Sequence, residues 1–260
     1  MTRPLFFGSS DHALFGVHHP ARAAAARGAG VVLCYPGVQE YNTTHWAFRK
    51  LAGMLAREGF DVLRFDYHGT GDSAGDTLEG DPSTWVADIH AAVRELRDMA
   101  GVQSVSLLGM RLGAALAALA SREIDVDDLV LWEPVVHGRS YIGELEAQQA
   151  RKKLVLLHGR WREDGQELMG FPFPPSLREA IGNIDLRAAS GLKARRVLLL
   201  VSEERPAYQE LVQAMRSTRH EVHYRHVPEG AHPDPSVREA ALLSNRILVA
   251  MTEALSARPG

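Results

Sequence analysis

Cysteine is nearly absent from this sequence. The single Cys34 among 260 residues rules out an intrachain disulfide, and a chain without disulfides is typical of a reducing compartment. Long apolar runs are also missing. None approaches the roughly 18 residues that a membrane-spanning helix needs, and the opening stretch MTRPLFFGSSDHALFG lacks the apolar centre of a signal peptide. We therefore predict a cytoplasmic protein.

An excess of charge of one sign is missing as well. The chain has 29 basic and 32 acidic residues, which give a net charge of −3. A chain this close to neutral has no bulk attraction for nucleic acid or for an anionic membrane. We expect neither as a partner.

Several motifs that would identify a chemistry are absent. The only G-x-S-x-G, from Gly71 to Gly75, lies in the glycine-rich turn HGTGDSAGD and does not join a strand directly to a helix. No G-x-C-x-G occurs, and no G-x-G-x-x-G opens a helix after a strand. His220, His223 and His226 lie three residues apart, an offset that places successive side chains on opposite faces of a strand. The sequence therefore predicts no serine nucleophile, no dinucleotide, no metal site and no other cofactor.

Short apolar runs alternate with amphipathic segments along most of the chain. The patterns predict strands at 13–19, 31–35, 61–67, 104–109, 127–134, 196–204 and 221–228, and helices at 45–59, 84–100, 112–121, 206–217 and 236–257. Buried strands that alternate with helices indicate an α/β fold with a mostly parallel sheet covered on both faces. We predict one domain over 1–260.

Residues 135–195 interrupt this alternation. They are rich in Arg, Glu and Gln and include the aromatic and proline cluster LMGFPFPPSL. A structureless loop of that length is uncommon in a compact domain. We predict a helical cap insertion over the carboxyl edge of the sheet, which would exclude water from a site there.

Six stretches together resemble one known family. The stretches are CYPGVQEYNTTHWAFRKLA, LRFDYHGTGDSAGD, LLGMRLGA, LVLWEPVVHGRSYIGEL, ELMGFPFPPSLREAI and GAH. The whole chain resembles an α/β-hydrolase of the serine aminopeptidase-like branch, and within it the hydrolase-like proteins encoded beside exosortase and natural-product gene clusters. The resemblance implies the α/β-hydrolase fold and a site at the turn within LLGMRLGA.

The centre of that turn is the unusual feature. In such hydrolases a G-x-S-x-G turn between a strand and a helix presents the nucleophile. Here Gly109 and Gly113 stand at the glycine positions and Arg111 stands between them. A guanidinium cannot attack a carbonyl or act as a base, and a cation at a helix N-terminus requires a nearby anion. Arg111 is predicted either to pair with a carboxylate of the protein or to bind an anionic ligand or oxyanion.

The resemblance also implies positions for the remaining site residues. His232, in VPEGAHPDP after the last predicted strand, occupies the place of the catalytic histidine and is the candidate base. Its orienting acid is left open between Glu203 or Glu204, after the penultimate strand, and Glu133, which ends an earlier one.

Backbone donors for an oxyanion are expected near two turns. Gly37 and Val38 follow the early strand, Leu112 follows the central arginine, and Gln39 and Glu40 are expected at the mouth of the pocket. Glu40 is also a candidate partner for Arg111. Cys34, as a lone cysteine that ends a buried strand, is more typical of a core residue than of a reactive thiol.

Two functions remain open. One is an enzyme that acts on an acyl ester, thioester or related carbonyl compound, free or carrier-bound, in natural-product or polysaccharide biosynthesis. The other is an inactive protein of this fold that binds an acyl or peptidyl intermediate or a partner enzyme. The sequence does not give the oligomeric state.

Overall fold

The protein is described here from a computed structural model. It covers residues 2–22, 26–37, 39–155, 166–188, 190–217, 220–228 and 245–257. Eight strands form one sheet, in the order Arg3–Ser9 (β1), His12–His19 (β2), Phe60–Phe65 (β4), Ala29–Cys34 (β3), Ser104–Met110 (β5), Val126–Trp132 (β6), Ala194–Val201 (β9) and Glu221–His226 (β10). The first two strands pair antiparallel to their neighbours, and β3 to β6, β9 and β10 run parallel to one another. This confirms the predicted mostly parallel sheet.

The helices are Gln39–Arg57 (α1), Pro82–Ala100 (α2), Leu112–Ala120 (α3), Gly138–Val155 (α4), Pro175–Gly182 (α5), Pro206–Ser217 (α6) and Asn245–Ser256 (α7).

Helices cover both faces of the sheet. All six residues of β3 are buried, and because side chains alternate between the two faces of a strand, complete burial requires cover on each face. Helices α1 and α7 contact each other and pack on β4 and β9, whereas α2 and α3 contact each other and pack on β3 to β6.

An additional strand and an earlier helix start distinguish the first part of the structure from the sequence-based prediction. The structure has an additional strand, β1, whose side chains are exposed apart from Phe7 and the half-buried Leu5. Because this strand lies at the sheet edge, it carries little of the apolar alternation used for prediction. Helix α1 begins at Gln39 rather than at residue 45. Its first turns are polar, and the hydroxyls of Thr43 and Thr44 donate back to the carbonyl of Glu40.

The segment between β6 and β9 contains α4, a short hairpin and α5. The hairpin strands are Glu167–Leu168 (β7) and Phe171–Pro172 (β8). Helix α4 contacts both α5 and β7, and α5 contacts α2. These elements occupy the region predicted as a cap, and residues 156–165 within it lie outside the described part of the chain. Among the described helices, none is long and apolar enough to cross a membrane.

Candidate active site

Arg111 forms the sharp turn between β5 and α3. Its backbone has φ 52° and ψ −118°, a region that a non-glycine residue adopts only at some cost in energy. The turn is tied to the end of β6, since the amide of Arg111 donates to the Trp132 carbonyl at 3.0 Å and the Val135 amide donates to the Arg111 carbonyl at 3.1 Å.

The two glycines of the turn are required by close backbone approach. A Cβ at Gly113 would lie 2.1 Å from the carbonyl oxygen of Tyr35 and 2.3 Å from that of Cys34. A Cβ at Gly109 would lie 2.3 Å from the carbonyl oxygen of Gly113. Helix α3 can therefore sit against β3 and β5 only without side chains at these positions, which explains the G-x-x-x-G spacing in this sequence.

The guanidinium of Arg111 is held by two carboxylates of the protein. Its Nε donates to Oε1 of Glu40 at 3.0 Å, and its Nη2 donates to Oε2 of Glu144 at 2.6 Å. The Tyr141 hydroxyl donates to the other oxygen of Glu40 at 2.8 Å, and the Tyr141 ring lies 5.3 Å from the guanidinium carbon. Arg111 therefore pairs with carboxylates of the protein, which is the first of the two arrangements predicted for it.

The charge of Arg111 is strongly fixed. Burial by itself would lower the pKa of this guanidinium, but the charges of Glu40 and Glu144 outweigh it and raise the pKa well above its usual value. Burial, followed by the charge of Glu40, raises the pKa of the Tyr141 phenol. At neutral pH the Arg111 guanidinium is therefore a cation that lies between the carboxylates of Glu40 and Glu144, beside the neutral phenol of Tyr141.

A second arginine shares Glu144. The Nη1 of Arg205 donates to Oε1 of Glu144 at 2.9 Å, and its Nη2 donates to Glu203 at 3.3 Å. Sequence reasoning missed Tyr141, Glu144 and Arg205. The only available signal was the requirement of Arg111 for an anion, and that requirement does not say which of the chain's carboxylates meets it.

Glu133, one of the predicted acids, is buried at the end of β6, with φ 47°. Its Oε1 accepts from the backbone amide and the hydroxyl of Ser202, and its Oε2 accepts from the Tyr208 hydroxyl at 2.7 Å. Burial and the Glu133 charge raise the pKa of Tyr208. These contacts lock the carboxylate between β6, β9 and α6, and its predicted catalytic role stays a prediction.

The other predicted site residues are placed as follows. Glu203 and Glu204 are exposed, and Glu203 contacts Arg205. Gln39 begins α1 and donates to Gln148 at 3.4 Å. His232 and Val38 lie outside the described residues, so the predicted base and one backbone donor stay predictions.

Cys34 is fully buried, and burial raises the pKa of its thiol far above the usual range. A protonated thiol is a poor nucleophile, which agrees with the interpretation of Cys34 as a core residue. Across the described ranges, no three His, Cys, Asp or Glu side chains are grouped closely enough to hold a metal ion.

Two cavities lie on either side of the turn and share no lining residue. One, of about 170 Å³, is mainly apolar and is lined by Gly37, Tyr67, Trp85, Leu112, Phe173 and neighbours. The other, of about 90 Å³ and called the polar cavity below, is the more polar of the two. Its wall combines Arg111, His137, Ser140, Tyr141, Glu144, Arg205 and Tyr208 with Pro134, Val135, Val136 and Ala207. Consecutive residues, Arg111 and Leu112, thus face different cavities.

Solved structures of several hydrolases resemble this fold. An esterase from Pyrococcus furiosus is 18% identical with a TM-score of 0.67, over 100% of this chain and 92% of the esterase. Est1E from Butyrivibrio proteoclasticus, solved with ferulic acid, is 15% identical with a TM-score of 0.64, over 97% and 96%. The thioesterase domain from the curacin biosynthetic pathway is 15% identical with a TM-score of 0.60, over 99% and 100%.

A comparison with curated protein sequences finds no match. The sequence model of one family, described as serine aminopeptidase, S33, matches residues 27–183, which is more than half of the chain. The sheet order, the glycine-flanked turn after β5 and the structural neighbours agree with this match. The chain belongs to the serine aminopeptidase (S33) family and has the α/β-hydrolase fold.

Proposed function

We propose that this protein binds an acyl ester, thioester or related carbonyl compound and acts on it as a hydrolase-type enzyme without a serine nucleophile. The apolar part of the compound occupies the apolar cavity, and its carbonyl oxygen faces the turn between β5 and α3. Membership of a hydrolase family and the fold shared with esterases and a thioesterase support the substrate class.

The observation that carries this proposal is the position of Leu112. It is the first residue of α3 and lines the apolar cavity together with Gly37. The amide of a first helical residue has no acceptor within its own helix, and it lies at the positive end of the helix dipole. A backbone donor of this kind beside an apolar cavity is suited to a carbonyl oxygen that becomes an oxyanion.

The size of the cavity limits the acyl group. A dry protein cavity of roughly 150 Å³ accommodates a benzene molecule, and this one measures about 170 Å³. Aromatic side chains form much of its wall, and the rings of Tyr67 and Trp85 lie 5.8 Å apart. A phenyl ring or a short alkyl chain fits this volume.

In this mechanism water is the nucleophile. The oxygen of the water molecule attacks the carbonyl carbon while His232 takes a proton from that water. The π electrons of the carbonyl bond move to the carbonyl oxygen, which the Leu112 amide holds. The tetrahedral intermediate then expels the alcohol or thiol, which receives the proton from His232 and leaves a carboxylic acid. Because Leu112 and Gly37 line the apolar cavity and Arg111 lines the other one, we assign the oxyanion to backbone amides and assign anion binding to Arg111.

A second function is favoured by those same ion pairs. An arginine that is closed by two carboxylates stabilises the fold whether or not the protein is an enzyme. A member of this fold that only binds an acyl or peptidyl intermediate, or a partner enzyme, would have the same contacts around Arg111.

The test uses acyl-thioester probes with two to eight carbons and a fluorophosphonate that labels activated serines. We expect the wild type to hydrolyse a short acyl probe and to remain unlabelled, since no serine stands at the turn. His232→Ala should abolish turnover, and Arg111→Lys, which loses the planar fork, should reduce it strongly. Arg225→Lys, in an exposed pair with Glu253 and outside the walls of both cavities, is the matched control and should retain full activity.

Variants at position 111 separate the two functions. Arg111→Ser and Arg111→Ala delete the same guanidinium, and only the first supplies a hydroxyl. Labelling of the Ser variant alone would show that the surrounding machinery is competent. A wild type inert toward every probe, together with an unlabelled Ser variant, would refute the enzymatic proposal and favour the binding protein.

A further inference from the structure

One carboxylate, that of Glu144, lies between the two arginines of the polar cavity. Its Oε2 accepts from Arg111 at 2.6 Å and its Oε1 accepts from Arg205 at 2.9 Å. Arg111 belongs to the turn before α3, Arg205 follows β9, and Glu144 belongs to α4. Three separate parts of the chain thus meet at one carboxylate, an arrangement that two guanidiniums can also offer to a ligand anion.

The two carboxylates on Arg111 differ in how firmly they are held. The Glu40 side chain is 15% exposed and also accepts from Tyr141, whereas the Glu144 side chain is 39% exposed. A partly exposed carboxylate can rotate into water at a lower cost than a buried one, because solvent replaces part of the attraction of its ion-pair partner. Departure of Glu144 would leave Arg111 with Glu40, and Arg205 with Glu203 at 3.3 Å.

The space beside Glu144 suits a small anion. The polar cavity of about 90 Å³ is lined by Arg111, Arg205, His137, Ser140 and Tyr208. Since one water takes roughly 30 Å³ in the liquid, this volume holds a carboxylate or a phosphate group. The two arginines and the Ser140 hydroxyl can donate to such an anion, whereas the Tyr208 hydroxyl already donates to Glu133. The rest of the wall is apolar and includes Pro134, Val135 and Ala207.

We propose that Arg111 and Arg205 form a binding site for an anionic group of the ligand, and that Glu144 occupies this site in the ligand-free protein. A carboxylate or phosphate on the ligand displaces Glu144, so that binding the anion also releases a contact between α4 and the sheet. This deepens the proposed function, on which it rests for the identity of the ligand, by giving the acyl compound a negatively charged end.

The test is anion binding, measured by ligand-detected NMR at constant ionic strength, with no turnover required. The probes are butyrate, inorganic phosphate and the neutral butyramide. Glu144→Gln removes the internal competitor. Glu146→Gln is the matched control, because it lies on the same helix and removes a carboxylate that pairs with Arg178 instead. Melting temperatures verify that each variant is folded.

We expect Glu144→Gln to bind butyrate or phosphate at least about tenfold more tightly than the wild type and Glu146→Gln, with no gain for butyramide. The anion whose affinity increases more identifies the anionic group of the ligand as a carboxylate or a phosphate. Adding Arg205→Gln to the Glu144 variant should remove the gain. Equal affinities in the two Gln variants, a gain that includes butyramide, or a gain that survives loss of Arg205 would overturn the proposal.

Two further design points keep the test decisive. If Glu144→Gln does not fold, Glu144→Asp replaces it, and its shorter side chain should give a gain of about threefold by the same comparison. If neither the wild type nor the Glu144 variant binds butyrate or phosphate while the wild type still hydrolyses a thioester, the anion site alone is refuted. Anion binding without turnover by any variant would refute the enzymatic proposal alone.

Discussion

The free energy that links Arg111 to each of its two carboxylates should follow burial rather than distance. Glu144 is the nearer partner, at 2.6 Å against 3.0 Å for Glu40. Glu40 is the more buried one, with 15% of its side chain exposed against 39%. A ranking by distance and a ranking by burial therefore predict opposite orders, and a double-mutant cycle distinguishes them.

The perturbations are Arg111→Met, Glu40→Gln and Glu144→Gln, singly and in the two double variants. Methionine retains a Cβ and most of the side-chain volume, so the positive φ of this position is equally unfavourable before and after the change. Removing one partner of a buried ion pair typically costs about 3–5 kcal/mol. Since Glu40 keeps the hydrogen bond from Tyr141, we expect a coupling of about 2–3 kcal/mol with Arg111.

The coupling between Arg111 and Glu144 should be smaller, about 1 kcal/mol, because Glu144 is the more exposed carboxylate and water screens its interaction more strongly. Arg205 remains with Glu144 when Arg111 is lost, which lowers the coupling further. The assay is urea unfolding followed by tryptophan fluorescence and by far-UV circular dichroism, and coincident transitions are required for each variant. A coupling to Glu144 as large as that to Glu40 would refute the argument from burial.

Two further predictions concern the surroundings of the site. Gly113→Ala should cost at least about 3 kcal/mol, because the new Cβ would meet two backbone carbonyls. Gly143→Ala, within α4, should stabilise the fold by about 0.5–1 kcal/mol, because a Cβ at this position would meet no atom within 4 Å. Equal melting temperatures for the two variants in thermal unfolding would contradict the packing argument. Burial, aided by the Arg64 charge, lowers the pKa of His19 from 6.5 to about 4. As the pH falls from 6.5 to 4, His19 is protonated in the unfolded state before it is protonated in the folded state. The free energy of unfolding of the wild type should therefore fall relative to that of His19→Gln. If urea unfolding gives the two proteins the same dependence of this free energy on pH, His19 does not titrate in this way.

Much of the fold could be predicted because it depends on local patterns. The run at β3 is fully buried, β5 is buried from Val105 onward, and the alanine-rich α3 directly follows a glycine-flanked turn. These signals require only neighbouring residues. The edge strand β1 and the polar start of α1 escaped prediction because neither buries a periodic apolar face.

The site was predictable only in part, for a physical reason. The need of Arg111 for an anion follows from its charge and its place at a helix N-terminus, and Glu40 was among the candidates. The second anion, Glu144, lies in α4, and its approach to Arg111 depends on how that helix packs over the sheet. Arg205 stood beside two predicted acids, and the structure shows that it faces Glu144. Contacts of this kind are decided by tertiary packing, which a local pattern does not contain.

The paired carboxylates on Arg111 restrict the mutational routes open to this turn. The two partners lie 71 residues earlier and 33 residues later in the chain, yet any neutral residue at 111 leaves both without their shared cation. Position 111 is thus epistatic with positions 40 and 144, and the order of changes matters. Neutralising the more exposed Glu144 first is the permissive step, because Arg111 then keeps Glu40 and Arg205 keeps Glu203. A serine placed first at 111 would leave the more buried Glu40 without a cation, while Glu144 would keep only Arg205.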